Sequence, residues 1–157
     1  MERGGGKIKR GADRHYPLLL KHEIIEEMLT SGVWAPNRNG CHLYLWITNN
    51  HVRDGEFVME ALGFRQITML TWGKDRIGLG QYWRGQTEHV LFGVMGKLPA
   101  LNKTESTLIG KGVIPRKKHS EKPEDFYKTV ELVSPGPSLE MFARKQRKGW
   151  TVWGNEV

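Results

Sequence analysis

The sequence predicts an α/β fold, a mostly parallel sheet with helices on both faces. Three observations carry the prediction. Strand-like and helix-like segments alternate along the chain. The segment CHLYLWIT (41–48) is almost wholly apolar, as a strand covered on both faces must be. Two long loops rich in Gly and Lys, with several short polar clusters, fall where strand ends should gather.

Each element has its own signal. In YPLLLKHEIIEEMLTSG, Leu20, Ile24 and Met28, with Leu19 and Leu29, share one helical face, and Gly32 follows the helix. CHLYLWIT is a strand. NNHVRDGEFVMEALGF reads as a helix opened by Asn49 or Asn50 and closed by Gly63. RQITMLTW and EHVLFGVMG are strands, separated by the glycine-rich loop GKDRIGLGQYWRGQT. A second loop is expected over 97–121, basic through Lys97, Lys103, Lys111, Arg116, Lys117, Lys118 and His119. KPEDFYKTVELVSPG is a helix with Pro123 in its first turn. SLEMFAR and WTVWG are two last short strands.

The chain has 157 residues, 38% of them hydrophobic and 26% charged, which suits one domain spanning 1–157 with a real core. No run reaches the ~18 apolar residues of a membrane span, so no membrane association is expected. The single cysteine, Cys41, excludes an intrachain disulfide and fits the cytoplasm. The net charge of +7, from 24 Lys and Arg against 17 Asp and Glu, favours a polyanionic partner through phosphate contacts.

Several chemistries lack a motif. The six histidines show no zincin spacing, and no metal site is expected. There is no P-loop, and GLG at 78–80 is too short for a dinucleotide fingerprint. Ser120 and Ser134 sit in no nucleophile elbow. Three polar clusters remain at strand ends: Thr48-Asn49-Asn50, Glu140 with Arg144, and Asn155-Glu156. A carboxylate at a strand end is the usual partner of ribose hydroxyls. Taken singly, each cluster reads equally well as caps and surface polarity.

Taken together they match a family. The stretch HLYLWITNNHVRDGEFVMEALGFRQITMLTWGKDRIGLGQYWRGQTEHVLFGVMGK resembles the S-adenosylmethionine-dependent N6-adenine methyltransferases of the MT-A70 type. The resemblance continues through SEKPEDFY, LEMFAR and GWTVWGNE, and covers nearly the whole chain in the family's order. It implies a Rossmann-like methyltransferase sheet in permuted order, with the catalytic strand first and the cofactor-binding strands last. It implies that Asn155 and Glu156 bind the cofactor ribose and that Lys122 approaches its methionine carboxylate. Arg144 and Phe142 are expected to line the same pocket.

The family's catalytic motif, Asp-Pro-Pro-Trp, ends its first strand and runs into a glycine-rich loop like ERGGGKIKRGADRHYP here. Neither the motif nor that strand occurs among the 157 residues, so the first strand is expected to be absent and no catalytic residue is assigned. Met1 then reads as a shifted start, a truncation or a natural split. The basic active-site loop 1–16 supplies Lys7, Lys9, Arg10, Arg14, His15 and Tyr16 as expected nucleic-acid contacts, and Arg116, Lys117 and Lys118 of the second loop join them. The expected function is S-adenosylmethionine-dependent N6-methylation of adenine in nucleic acid, DNA ahead of RNA. The alternative is a non-catalytic relative that binds nucleic acid or a catalytic partner. A homo- or heterodimer through loop 74–86 is the corresponding protein contact.

Overall fold

The computed structural model describes residues 20–118 and 121–157. They form α1 (Lys21–Thr30), β1 (Gly40–Ile47), α2 (Val52–Ala61), β2 (Arg65–Gly73), β3 (Thr87–Gly96), β4 (Leu108–Val113), α3 (Glu124–Val133), β5 (Ser138–Met141) and β6 (Trp150–Trp153). The result is a mixed α/β architecture. A four-stranded sheet has the order β1-β3-β2-β4, and β5 pairs with β6 in a small parallel sheet.

The expected parallel sheet is corrected at its centre. β3 runs antiparallel to both neighbours, pairing Gly40 with Gly96 through Ile47 with His89 on one side, and Arg65 with Val94 through Gly73 with Thr87 on the other. The cause is the connection. Residues 73–87 contain no crossover helix, and a chain that turns back without one returns antiparallel. Among the described residues, parallel pairing is confined to β2 with β4 and to β5 with β6.

β1 shows why an all-apolar strand is needed. Cys41, Leu43, Leu45 and Ile47 face one way, into a core shared with Ile24, Ile25 and Met28 of α1 and Val58 and Met59 of α2. Tyr44 and Trp46 face the other way, into a core built by Phe126, Tyr127 and Val130 of α3 with Trp72, Val90 and Ile109. Helices therefore cover both faces, as the sequence implied. Among the described residues, β1 pairs with β3 only and β5 with β6 only, so each has one unpaired edge.

Three local expectations are corrected. Leu20 and Leu29 are exposed, and Leu19 lies outside the described residues; α1 turns Ile24, Ile25 and Met28 inward instead. Neither Asn49 nor Asn50 caps α2, because Asn49–His51 form a 3-10 turn that starts from Thr48. The 97–121 segment is not all loop. LIGKGV forms β4 because the outer edge of β2 offers it backbone partners, including Thr71 N–H to the Thr107 carbonyl at 2.8 Å and Ile114 N–H to the Gly73 carbonyl at 2.9 Å.

The helix–sheet contact is closest at Gly55. A Cβ there would lie 2.5 Å from Ile47 Cγ2 and 3.0 Å from Leu91 Cδ1. Helix propensity alone favours Gly55→Ala by up to ~1 kcal/mol, but overpacking against the sheet should outweigh it. The substitution should cost a net ~1–2 kcal/mol, seen as a lower urea midpoint at unchanged m-value. A raised midpoint would show that α2 does not press on β1 and β3.

Candidate functional site

The carboxyl ends of β1, β2 and β4 and the start of β3 lie at one end of the main sheet, which follows from the register. At that end Glu88, opposite Trp72 on β2, holds two lysines. Its Oε2 is 2.7 Å from Lys74 Nζ and its Oε1 is 2.7 Å from Lys122 Nζ. Each ammonium also sits over an indole, Lys122 at 4.7 Å from the Trp46 ring centroid and Lys74 at 5.0 Å from that of Trp72. Burial pushes the Glu88 carboxyl up in pKa. Lys122 and Lys74 together outweigh that and hold it below the usual carboxylate range.

Beside this triad, Asn49 Oδ1 accepts from His89 Nε2–H and, at 3.1 Å, from the Thr87 hydroxyl. Asn49 Nδ2 donates to the Thr87 carbonyl at 3.4 Å. This pattern fixes the tautomer, leaving His89 Nδ1 to accept from the Thr71 hydroxyl at 2.9 Å. Burial lowers the His89 pKa against the opposing charge of Glu88, so the ring is neutral at neutral pH.

A second cluster forms where β5 and β6 end. Phe142 adopts φ 58°, a left-handed conformation that an aromatic residue seldom takes. Its ring meets Trp153 edge-on at 5.5 Å and stays 40% exposed. Arg144 Nε donates to Glu156 Oε2 at 2.8 Å. Ala143 N–H donates to the Trp153 carbonyl at 2.8 Å, and Gly154 lies so close that a Cβ would come 2.6 Å from the Ala143 carbonyl oxygen. Only glycine lets the Asn155–Glu156 turn lie over residues 142–144.

Ion pairs connect this cluster to Lys122. Lys145 reaches Glu121 at 3.3 Å and Glu124 at 3.4 Å. Arg147 takes both Glu124 oxygens, at 2.8 and 3.0 Å, and lies 3.3 Å above the Tyr127 ring. Arg147 is the main reason the Glu124 carboxyl is held at about 2. Glu140 and Arg144, grouped at one strand end in the sequence, each take another partner. Glu140 accepts the Tyr127 hydroxyl at 2.6 Å, while Arg144 turns to Glu156.

The structure thus places Phe142, Arg144 and Glu156 in one cluster, with the exposed Asn155 in the same turn, and ties the segment carrying Lys122 to it. Arg116, Lys117 and Lys118 are exposed, and Asp75 takes the Arg116 backbone N–H at 3.0 Å and its Nε at 3.9 Å. Lys7, Lys9, Arg10, Arg14, His15 and Tyr16 lie outside the described residues. Sequence reasoning missed Lys74 and Glu88. Their signal was position, since they flank a loop whose two ends must meet once β2 and β3 pair.

Glu88→Gln tests the triad. It keeps the shape but leaves two lysines short of a charge, and should cost about 2 kcal/mol at pH 7, the loss of a charge-assisted bond. Because the native carboxyl titrates below its unfolded value, its stabilisation is complete above the ordinary carboxylate pKa and fades as pH falls through the lowered native value. The gap in urea midpoint between wild type and variant should therefore close in acid. A gap that widens in acid would mean that the lysines do not hold Glu88 ionised.

The MT-A70 family model matches residues 25–156. The type II methyltransferase M.MunI from Mycoplasma sp is 30% identical over 148 residues, covering 90% of this chain and 60% of that protein. The N(6)-adenosine-methyltransferase MT-A70-like protein of Arabidopsis thaliana is 27% identical over 156 residues, 92% of this chain and 22% of the relative. The N(6)-adenosine-methyltransferase catalytic subunit METTL3 of Homo sapiens is 27% identical over 127 residues, 73% of this chain and 21% of the relative. The chain spans less than two thirds of the length of each of these relatives. The family match begins within α1, takes in every strand described above and ends at Glu156 in the turn beside Arg144; the chain belongs to the MT-A70 family.

Proposed function

We propose that this chain binds S-adenosylmethionine at the ends of β5 and β6 and serves N6-methylation of adenine in nucleic acid. The observation that carries this reading is the turn in which Glu156 meets Arg144 beside the half-exposed Phe142, tied through Lys145 and Glu121 to the segment of Lys122. The donor set fits the cofactor. Glu156 and Asn155 offer acceptors and an amide to a ribose diol. The Lys122 ammonium has three hydrogens and gives one to Glu88, so it can still meet a carboxylate. Phe142 and Arg144 supply the walls. Bound there, the cofactor supplies an electrophilic methyl group.

The acceptor for the adenine amino group belongs, in this proposal, to a strand that pairs with the unpaired edges of β1 and β5 and ends in Asp-Pro-Pro-Trp. That order of strands is the permuted methyltransferase sheet the sequence led us to expect. DNA ranks ahead of RNA because the chain spans 60% of the type II methyltransferase but only 21% of METTL3. The net charge of +7 and the exposed Arg116-Lys117-Lys118 segment suit either polyanion. No helix among the described residues is long and apolar enough to cross a membrane, and the lone, half-buried Cys41 suits the cytoplasm as compartment.

Calorimetry with S-adenosylhomocysteine tests the pocket. Asn155→Ala should weaken binding by ~1–3 kcal/mol, the cost of an unpaired polar group, and Lys122→Ala should do the same. Unchanged affinity in both variants would overturn the assignment. Turnover is tested by transfer of a labelled methyl group to adenine in DNA and in RNA. The 157-residue chain alone should be slow, and the same chain preceded by a strand ending in Asp-Pro-Pro-Trp should be faster by ~100-fold or more, the usual worth of a positioned acid–base group. Equal and robust rates would place the acceptor within the 157 residues themselves. Tight cofactor binding without turnover in either form would favour the non-catalytic relative.

A further inference from the structure

The loop between β2 and β3 carries a feature that the cofactor site does not use. Ile77, Leu79, Tyr82 and Trp83 are all exposed, Trp83 at 87% and Tyr82 completely. Single exposed apolar residues are ordinary; four within seven positions make a patch that marks a contact. The patch is built rather than merely left over. Gly78 N–H donates to the Gly85 carbonyl at 2.6 Å, Gly85 N–H to Leu79 at 3.1 Å, and Arg84 Nε to Gly78 at 3.1 Å. At the base, Lys74 and Gln86 exchange bonds at 2.8 and 3.0 Å.

The tip is also strained. Tyr82 has φ 58°, the left-handed region that β-carbon crowding makes costly. Its ring gains no burial in return, so the turn sets two aromatic rings outward at a cost in folding stability. Arg76 and Arg84 flank the rings in the chain, and the loop's acid, Asp75, pairs with Arg76 at 3.5 Å and accepts the Arg116 backbone N–H at 3.0 Å. Through Asp75 the loop joins the exposed Arg116-Lys117-Lys118 segment into one cationic surface.

We propose that Tyr82 and Trp83 form a stacking platform for unpaired nucleotides next to the adenine that enters the site. This rests on the nucleic-acid reading above and names where the strand lies. Interface cores favour Tyr, Trp and Arg but are depleted of Lys; here the rings share a surface with the exposed Arg116-Lys117-Lys118 segment, and aromatic rings beside such cations suit single strands, whose bases stack while the cations follow the phosphates. Position agrees. The loop hangs from Lys74, whose ammonium shares Glu88 with Lys122, so the base of the platform lies beside the lysine proposed for the cofactor. Stacking makes the contact tolerant of sequence.

The test is fluorescence anisotropy of the 157-residue chain with a labelled single-stranded DNA containing one adenine, and with the same strand carrying abasic sites on either side of it. Each ring changed to Ala (Tyr82→Ala, Trp83→Ala) should weaken binding to the intact strand by roughly 5- to 100-fold, the usual worth of one stacked base. The salt slope should stay that of wild type, since no phosphate contact is lost, and Trp83→Phe should retain most of the affinity. The abasic strand should bind wild type and the double variant alike. A double variant that binds the intact strand like wild type, while wild type binds both the strand and S-adenosylhomocysteine, overturns the platform and leaves the cofactor reading standing. A wild type that binds no oligonucleotide overturns the platform together with the nucleic-acid reading. A double variant that loses self-association in sedimentation but not oligonucleotide affinity overturns it in favour of a protein contact at this loop.

Discussion

One carboxylate organises the working end of this molecule. Glu88 pairs with Lys74, just beyond β2, and with Lys122, just before α3, at 2.7 Å each. Three chain segments therefore meet at one largely but not fully buried charge. A carboxylate this far from water is costly without a partner, and two ammonium groups lying on Trp46 and Trp72 offset that cost. The arrangement also bears on the role proposed for Lys122. Lys122 is oriented by Glu88 and Trp46, so the hydrogens it does not give to Glu88 are aimed by the fold rather than left to a mobile side chain.

The second constraint is mechanical. α3 packs Phe126 and Tyr127 on the main sheet, and Tyr127 also meets Trp150 of the small sheet at 5.6 Å. Arg147 reinforces the junction with a bidentate grip on Glu124 and a stack on Tyr127. Glu124 is 39% exposed, so water screens this pair and its worth is that of a surface bridge, ~1 kcal/mol or less. Aromatic packing, not charge, carries most of the join. The Asn155–Glu156 turn after β6, proposed for the cofactor, is thus held to the same helix whose preceding segment presents Lys122.

What the sequence made legible were the elements whose cause is local. CHLYLWIT declared a two-sided strand, and the structure covers it on both faces. Gly63 marked the end of α2, and Pro123 the start of α3. What stayed hidden had non-local causes. β4 contains two glycines and a lysine in six residues, and is a strand only because β2 has a free edge. β3 entered the middle of the sheet because its loop lacks a helix. Asn49 was read as a cap because its partners, Thr87 and His89, arrive only when β3 pairs with β1. In the site, the family motifs pointed to Lys122, Arg144 and Glu156, while Glu88 and Lys74 carry no motif and emerge from pairing alone.

The proposal these constraints bear on is that the Asn155–Glu156 turn and Lys122 together hold an S-adenosyl ligand. A crystal structure of the chain grown with S-adenosylhomocysteine reads it directly. The ribose should lie against Asn155 and Glu156, with the adenosine beside Phe142 and Arg144 and the amino-acid carboxylate on Lys122, whose bond to Glu88 persists. A ligand found elsewhere, with Lys122 contacting only Glu88, would contradict it.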